Sequence, residues 1–173
     1  MGEMENMPTI QNEVLYAMQP ELAPTGEQPA PQRFGAKDVM DLSWKNLMDA
    51  YSCTECGRCS AACPANQTGK LLSPRKIMMD TRDRLEEVGK NINVNKEFKD
   101  DSRSLLHDYI SVEELRACTT CNACVQECPV SISPLDIIIQ LRRYLVMEES
   151  NSPQEWTAMF SNVENNFAPW KFS

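Results

Sequence analysis

The sequence predicts a mostly helical fold built from two copies of one unit. Three observations carry this expectation. Ser73-Pro74 and Ser133-Pro134 each open a stretch whose apolar residues return at helical spacing. Strand-like alternation is confined to the short run Val14-Leu15-Tyr16-Ala17-Met18. One cysteine spacing occurs twice, at an offset of 65 residues from Cys53 to Cys118, each time between a helical stretch and a Ser-Pro start.

Residues 1–35 are rich in Pro, Glu, Gln and Met, and Pro20, Pro24, Pro29 and Pro31 forbid one continuous helix there. We read them as an extended Pro/Glu-rich arm that becomes fixed on a partner, with residues 14–18 able to pair as a strand or dock on a surface. Residues 36–173 form the helical domain. Val39, Met40, Leu42, Leu47, Met48 and Tyr51 predict a helix over 37–51, running into the first cysteine motif. Ser73 as N-cap and Pro74 at the first helical position start the next helix, which Gly89 is expected to end near residue 88. The charged run Asp80–Glu87 reads as its solvated face, and residues 90–104 as irregular.

Ser111 and Glu114 form a capping box for a short helix that runs into Cys118. Ser133-Pro134 then starts a helix carrying Leu135, Ile138, Ile139, Leu141 and Leu145, with Arg142 and Arg143 placed to complement its dipole. Ser152-Pro153, with Glu155 in capping position, starts a last helix ending near Val163.

The net charge of −8 is unevenly spread: residues 1–32 hold five acids and no Lys or Arg. Nucleic-acid binding needs a basic footprint and is excluded on that ground. No apolar run approaches the length of a membrane span; the triplet Ile137-Ile138-Ile139 is typical. Met1–Thr9 carries acid and no base, unlike a secretory or transit signal. We expect a cytoplasmic protein or subunit without a membrane span, with peripheral association to a membrane complex left open.

All eight cysteines fall in the two motifs, Cys53-x2-Cys56-x2-Cys59-x3-Cys63-Pro64 and Cys118-x2-Cys121-x2-Cys124-x3-Cys128-Pro129. This is the spacing of cubane iron–sulfur ligation: three thiolates on a tight loop wrap one cube, and the fourth cannot reach the same one. Structural zinc sites use paired knuckles separated by a longer loop, and disulfide frameworks belong to short secreted chains. Iron needs free thiolates, hence a reducing compartment. Gly57 lets backbone N–H groups approach the sulfurs, or serves only loop flexibility. His107, the single histidine, reads as a surface residue, and Trp44, Trp156, Trp170 and most of the ten Met as helix packing.

With the paired motifs, the segment Cys128-Pro-Val-Ser-Ile-Ser-Pro134 and the Arg142-Arg143 helix, the chain resembles the α-helical ferredoxin domain. That domain occurs in the small iron–sulfur subunit of heterodisulfide reductase, in glycolate and lactate oxidase iron–sulfur subunits, and in half of the succinate dehydrogenase iron–sulfur subunit. The 55-residue gap from Cys63 to Cys118 suits this helical form and not the compact β-rich one. The resemblance implies two clusters with crossed ligation: Cys53, Cys56, Cys59 and Cys128 on the first, Cys118, Cys121, Cys124 and Cys63 on the second. No additional cysteines could serve a [2Fe–2S] domain, and Cys56 and Cys121 are both present, so two complete [4Fe–4S] clusters are expected. Residues 160–170, ending Phe-Ala-Pro-Trp170, are similar to a segment that many relatives place before a Cys-rich redox domain. The implied function is single-electron relay, with no catalysis by this chain alone, between an electron donor and a Cys-rich or flavin-containing oxidoreductase subunit. Two alternatives stay open: a fragment of a larger glycolate/lactate oxidase type oxidoreductase, and a zinc-binding interaction module.

Overall fold

The computed structural model of the chain describes residues 7–23 and 33–171. These are helical with no named strand; the nearest approach is an isolated bridge between Leu106 and Ile110. The long elements are α1 (Pro8–Met18), α2 (Trp44–Ser52), α5 (Pro74–Asn95), α8 (Pro134–Met147) and α9 (Gln154–Asn166). Single-turn helices α3 (Arg58–Ala61), α4 (Pro64–Gln67) and α7 (Ala123–Gln126) and the short α6 (Val112–Ala117) complete the cysteine-bearing half.

The repeat is visible in the elements. α2 and α6 both end at the first cysteine of a motif, α3 and α7 both lie inside a motif, and α5 and α8 both begin at a Ser-Pro pair. Ser73 and Ser133 cap these last two as expected, accepting from the amides of Lys76 (3.4 Å) and Asp136 (3.2 Å). α5 packs against α2 and α8. The core between them is made by Ile77, Met78 and Val88 of α5 and Ile137, Ile138, Leu141 and Leu145 of α8, all at most 2% exposed. Leu105, Leu106 and Ile110 close it from the turn Leu105–Tyr109. The Ser111–Glu114 capping box forms as the sequence predicts.

Several expectations are corrected. Residues 8–18 are helix, not extended arm or strand: Pro8 occupies the first turn, where no N–H is needed, and Pro20 lies beyond the end. The prolines bound this helix instead of breaking it; Pro24, Pro29 and Pro31 lie outside the described residues. An ion pair from Glu13 to Arg143 joins α1 to α8. The single helix over 37–51 is interrupted. Asp38 caps a 3₁₀ turn, Val39–Asp41, and Ser43 then starts α2 afresh by accepting the Asn46 amide at 3.3 Å. Two cap residues in series compete for backbone N–H groups that one helix would have used internally.

α5 runs through Gly89 to Asn95, and the left-handed cap falls on Lys96 (φ 68°). An interior glycine costs about 1 kcal/mol relative to alanine, and burial of Val88 with packing of Ile92 on the core keeps the helix going. Only 96–104 remain irregular. The last helix extends past Val163 to Asn166, with Phe167 in the left-handed position, and its N-cap is Pro153 without a side-chain cap. Arg142 and Arg143 do not serve their own helix end; both reach to other elements.

The largest departure is in Asp80–Glu87. Its Arg84 is fully buried. The guanidinium donates to Asp38 (Nε–Oδ1 3.0 Å, Nη2–Oδ2 2.7 Å), to Asp101 (Nη1–Oδ2 2.5 Å) and to the Arg103 carbonyl (2.7 Å). Asp38 also accepts from the Leu105 amide at 3.0 Å. One cation therefore joins three segments that are distant in sequence.

Gly35 fastens the chain entering the domain onto α8. Its φ is +75°, and a Cβ there would lie 2.3 Å from the Gln140 carbonyl oxygen and 2.5 Å from the Tyr144 nitrogen. These are backbone atoms of a helix and cannot yield. The next residue, Ala36, donates to the same Gln140 carbonyl at 3.0 Å. Gly35→Ala is expected to cost about 2 kcal/mol or more, from left-handed strain plus overpacking. A thermal melt should show a clear fall in Tm; an unchanged Tm would mean that this contact does not form.

Candidate metal centre

Each cysteine loop begins where a helix is stopped. Cys53 and Cys118 terminate α2 and α6 in extended conformations (φ −65°, ψ 117° and φ −69°, ψ 126°). Two left-handed residues then coil the chain: Glu55 (φ 57°) and Gly57 (φ 80°) in the first loop, Thr120 (φ 53°) and Asn122 (φ 61°) in the second. Gly and Asn are the residues that visit this region most readily, so they stand at the tighter position in each copy. α3 and α7 follow at once. Successive left- and right-handed residues turn backbone N–H groups inward and favour negative charge in the loop. The Thr120 amide donates to the Cys118 sulfur at 3.4 Å.

The thiols line two neighbouring cavities. The first is lined by Cys53, Cys56, Cys59 and Cys128, together with Cys124, and encloses about 360 Å³ of space partly open to solvent. The second is lined by Cys63, Cys118, Cys121 and Cys124 and is likewise partly open to solvent. The second thus combines three cysteines of one motif with the fourth of the other, and the first does the same with Cys124 in addition. The walls are largely apolar: Met78, Ile132 and Pro134 in the first, Leu72, Pro74, Leu135 and Ile138 in the second. All eight cysteines are free. Among the described residues, no three His, Cys, Asp or Glu side chains close on a point in the manner of a single metal ion. A ring of thiols with apolar walls and inward amides fits the ligand demands of a cubane cluster.

Burial sets the thiol chemistry. It pushes Cys59 and Cys118 up and Cys124 up to about 12. Cys56 is exposed and shifted down, chiefly by the Arg58 backbone N–H. Buried thiols of this kind ionise only against a strong positive partner, so metal binding must release protons.

Two arginines brace the loops, and they stand at equivalent positions in the repeat. Arg82 lies eight residues after Pro74, and Arg142 eight after Pro134. Arg82 of α5 pairs with Glu55 of the first loop. Arg142 of α8 donates to the Leu115 carbonyl (2.9 Å) and to the Cys118 carbonyl, binding the C-terminal end of α6 beside the second loop. Sequence reasoning missed both bracing roles and the left-handed Asn122; the 60-residue offset of the Ser-Pro helices and the 65-residue offset of the motifs carried the signal. His107 is exposed, hydrogen-bonded to Glu149 (2.9 Å), and lines neither cavity. Trp44 (76% exposed) and Trp170 (62%) stand out of the packing that the sequence suggested for them.

Helical scaffold and paired cysteine cavities together define an iron–sulfur electron-transfer domain. Residues 52–132 match the 4Fe-4S dicluster domain family, whose cofactor complement is two [4Fe–4S] clusters. Three relatives extend the likeness. The chain is 34% identical over 158 residues to the EtfAB:quinone oxidoreductase of Syntrophomonas wolfei, covering 80% of this chain and 22% of that protein. It is 33% identical over 168 residues to the probable iron-sulfur-binding oxidoreductase FadF of Bacillus subtilis, covering 80% and 24%. It is 34% identical over 120 residues to a ferredoxin/F420H2-dependent CoB-CoM heterodisulfide reductase subunit of Methanosarcina acetivorans, covering 69% and 60%. The chain thus spans about a quarter or less of the first two and somewhat under two thirds of the third. Among the described residues no helix is long and apolar enough to cross a membrane.

Proposed function

We propose that this chain relays single electrons between protein redox partners through two crossed-ligand clusters, in a heterodisulfide-reductase-like oxidoreductase. The first cluster is held by Cys53, Cys56, Cys59 and Cys128, the second by Cys118, Cys121, Cys124 and Cys63. The observation that supports the ligand sets is the composition of the cavities: each contains three thiols of one motif and the fourth of the other, and Cys124 reaches the first cavity as well. When bound, each cluster takes up or gives up one electron at a time.

The chain's own residues position and insulate. α2 and α6 stop at the first ligands, Arg82 and Arg142 hold the loops, and burial shields Cys63 and Cys124 most. Cys124 lines both cavities, which supports a short path between the clusters. The partners we infer are an electron donor and a Cys-rich or flavin-containing oxidoreductase component, met in a reducing, cytoplasmic setting. A second reading has the same chemistry in a different context: the chain acts as one domain of a larger iron–sulfur oxidoreductase. Its favouring observation is the match to about a quarter of FadF and of the EtfAB:quinone oxidoreductase.

Anaerobic reductive titration tests the relay. The two-cluster protein is expected to take up about two electrons per chain, with an EPR spectrum showing magnetic interaction between neighbouring spins. Uptake of none, with no EPR signal at any potential, would remove the electron-transfer function.

A further inference from the structure

The internal repeat is broken at the mouth of the first cavity, and the break has a chemical direction. Cys56 is the exposed cysteine of the eight, whereas its counterpart Cys121 is half-buried. Arg58 follows Cys56 by two residues; the corresponding position in the second loop is Ala123. Arg75 follows Pro74 in α5 and lines the first cavity, its Nη1 lying 3.9 Å from where a Cβ on Gly57 would stand. The corresponding position after Pro134 is Leu135, which is 8% exposed and walls the second cavity. Two guanidinium groups in one copy therefore replace two apolar side chains in the other.

Neither Arg58 nor Arg75 is in an ion pair among the described residues, although Arg82 and Arg84 on α5 are both committed to carboxylates. Glu55, the acid lining this mouth, is already neutralised by Arg82. The chain as a whole carries −8, so these cations are a local exception and not part of a basic surface. Cys56 is exposed where Cys121 is half-buried, so a partner has easier access to the edge of the first cavity.

We propose that the Cys56 edge of the first cavity is the gateway through which electrons enter or leave, and that the partner docking there presents an acidic surface to Arg58 and Arg75. The proposal rests on the electron-relay reading above. It assigns the second cluster to the interior of the relay.

Small redox probes test it without knowledge of the partner. The reduced two-cluster protein is mixed with ferricyanide, so that each event oxidises the protein by one electron and yields ferrocyanide. Arg58→Glu/Arg75→Glu is compared with Lys90→Glu/Lys99→Glu, which has the same net charge but places the reversal at the far end of α5 and its following loop. At low ionic strength the gateway pair is expected to slow the second-order rate about tenfold more than the control pair, and the difference should fade with salt. Cationic hexaamminecobalt(III) should show the opposite preference. Midpoint potentials of all variants are measured, so that a change in driving force is separated from a change in encounter. In a second arm, an anionic lanthanide chelate should relax the EPR signal of the first-loop cluster more than that of the second, and lose this selectivity in the gateway pair. Equal slowing by the two pairs, with cluster signals intact, overturns the gateway alone. Absence of cluster signals in the unsubstituted chain overturns the relay reading itself.

Discussion

Cys63→Ser is expected to damage the cluster held by the second motif and leave the first intact, although Cys63 belongs to the first motif in sequence. Cys63 is buried and lines the cavity formed by Cys118, Cys121 and Cys124. Serine preserves the volume but offers a poor ligand to iron. The mirror substitution, Cys128→Ser, should strike the first cluster, because Cys128 lines the cavity of Cys53, Cys56 and Cys59. Two reference variants make the outcome readable. Cys56→Ser and Cys121→Ser lie in the middle of their loops and report on one cluster each. In reduced-state EPR, Cys63→Ser should resemble Cys121→Ser, and Cys128→Ser should resemble Cys56→Ser. The reverse pairing would refute crossed ligation while leaving the clusters themselves in place.

Arg84→Met is expected to be the most destabilising change away from the cysteines. It leaves Asp38 and Asp101 facing one another without the cation that both contact, and strands the Arg103 carbonyl. Breaking a buried pair in this way costs about 3–5 kcal/mol, which for a domain of this size lowers Tm by roughly 6–20 °C. Lys90→Met, on an exposed side chain of the same helix, is the control and should move stability by no more than about 0.5 kcal/mol. The acid limb gives a second signature. Arg84 holds the Asp101 carboxyl below its ordinary range. A depressed carboxylate stabilises the fold fully above its unfolded value of about 3.9 and loses that contribution as pH falls through the lower folded value. Arg84→Met should therefore flatten the loss of stability on the acid side. Equal stability of Arg84→Met and Lys90→Met would show that the buried network carries no weight.

What could be read in the sequence was local. The Ser73-Pro74 and Ser133-Pro134 starts, the Ser111–Glu114 box and the cysteine spacing are each decided within a few residues, and all appear in the fold as expected. The errors came where distant contacts decide. Asp80–Glu87 looks solvated by composition, and only the approach of Asp38 and Asp101 makes Arg84 a core residue. Gly89 looks like a helix stop, and only the tertiary burial of Val88 beside it carries the helix on. Residues 14–18 alternate like a strand, but no second strand among the described residues offers them pairing, and the helix bounded by Pro8 and Pro20 forms instead. At the site, the cysteines that line the two cavities were legible because all eight fall in one repeated spacing. The bracing arginines were less so: Arg82 and Arg142 act on different groups, a side-chain carboxylate and backbone carbonyls, despite their equivalent positions.

The central claim is that the eight cysteines hold iron and sulfide as two cubanes. Metal and acid-labile sulfide analysis of the anaerobically purified chain tests it most directly. About eight iron and eight sulfide per chain are expected, four of each per cluster, in brown protein without stoichiometric zinc. Colourless protein containing zinc and no sulfide would contradict it and leave a zinc-bound interaction module in its place.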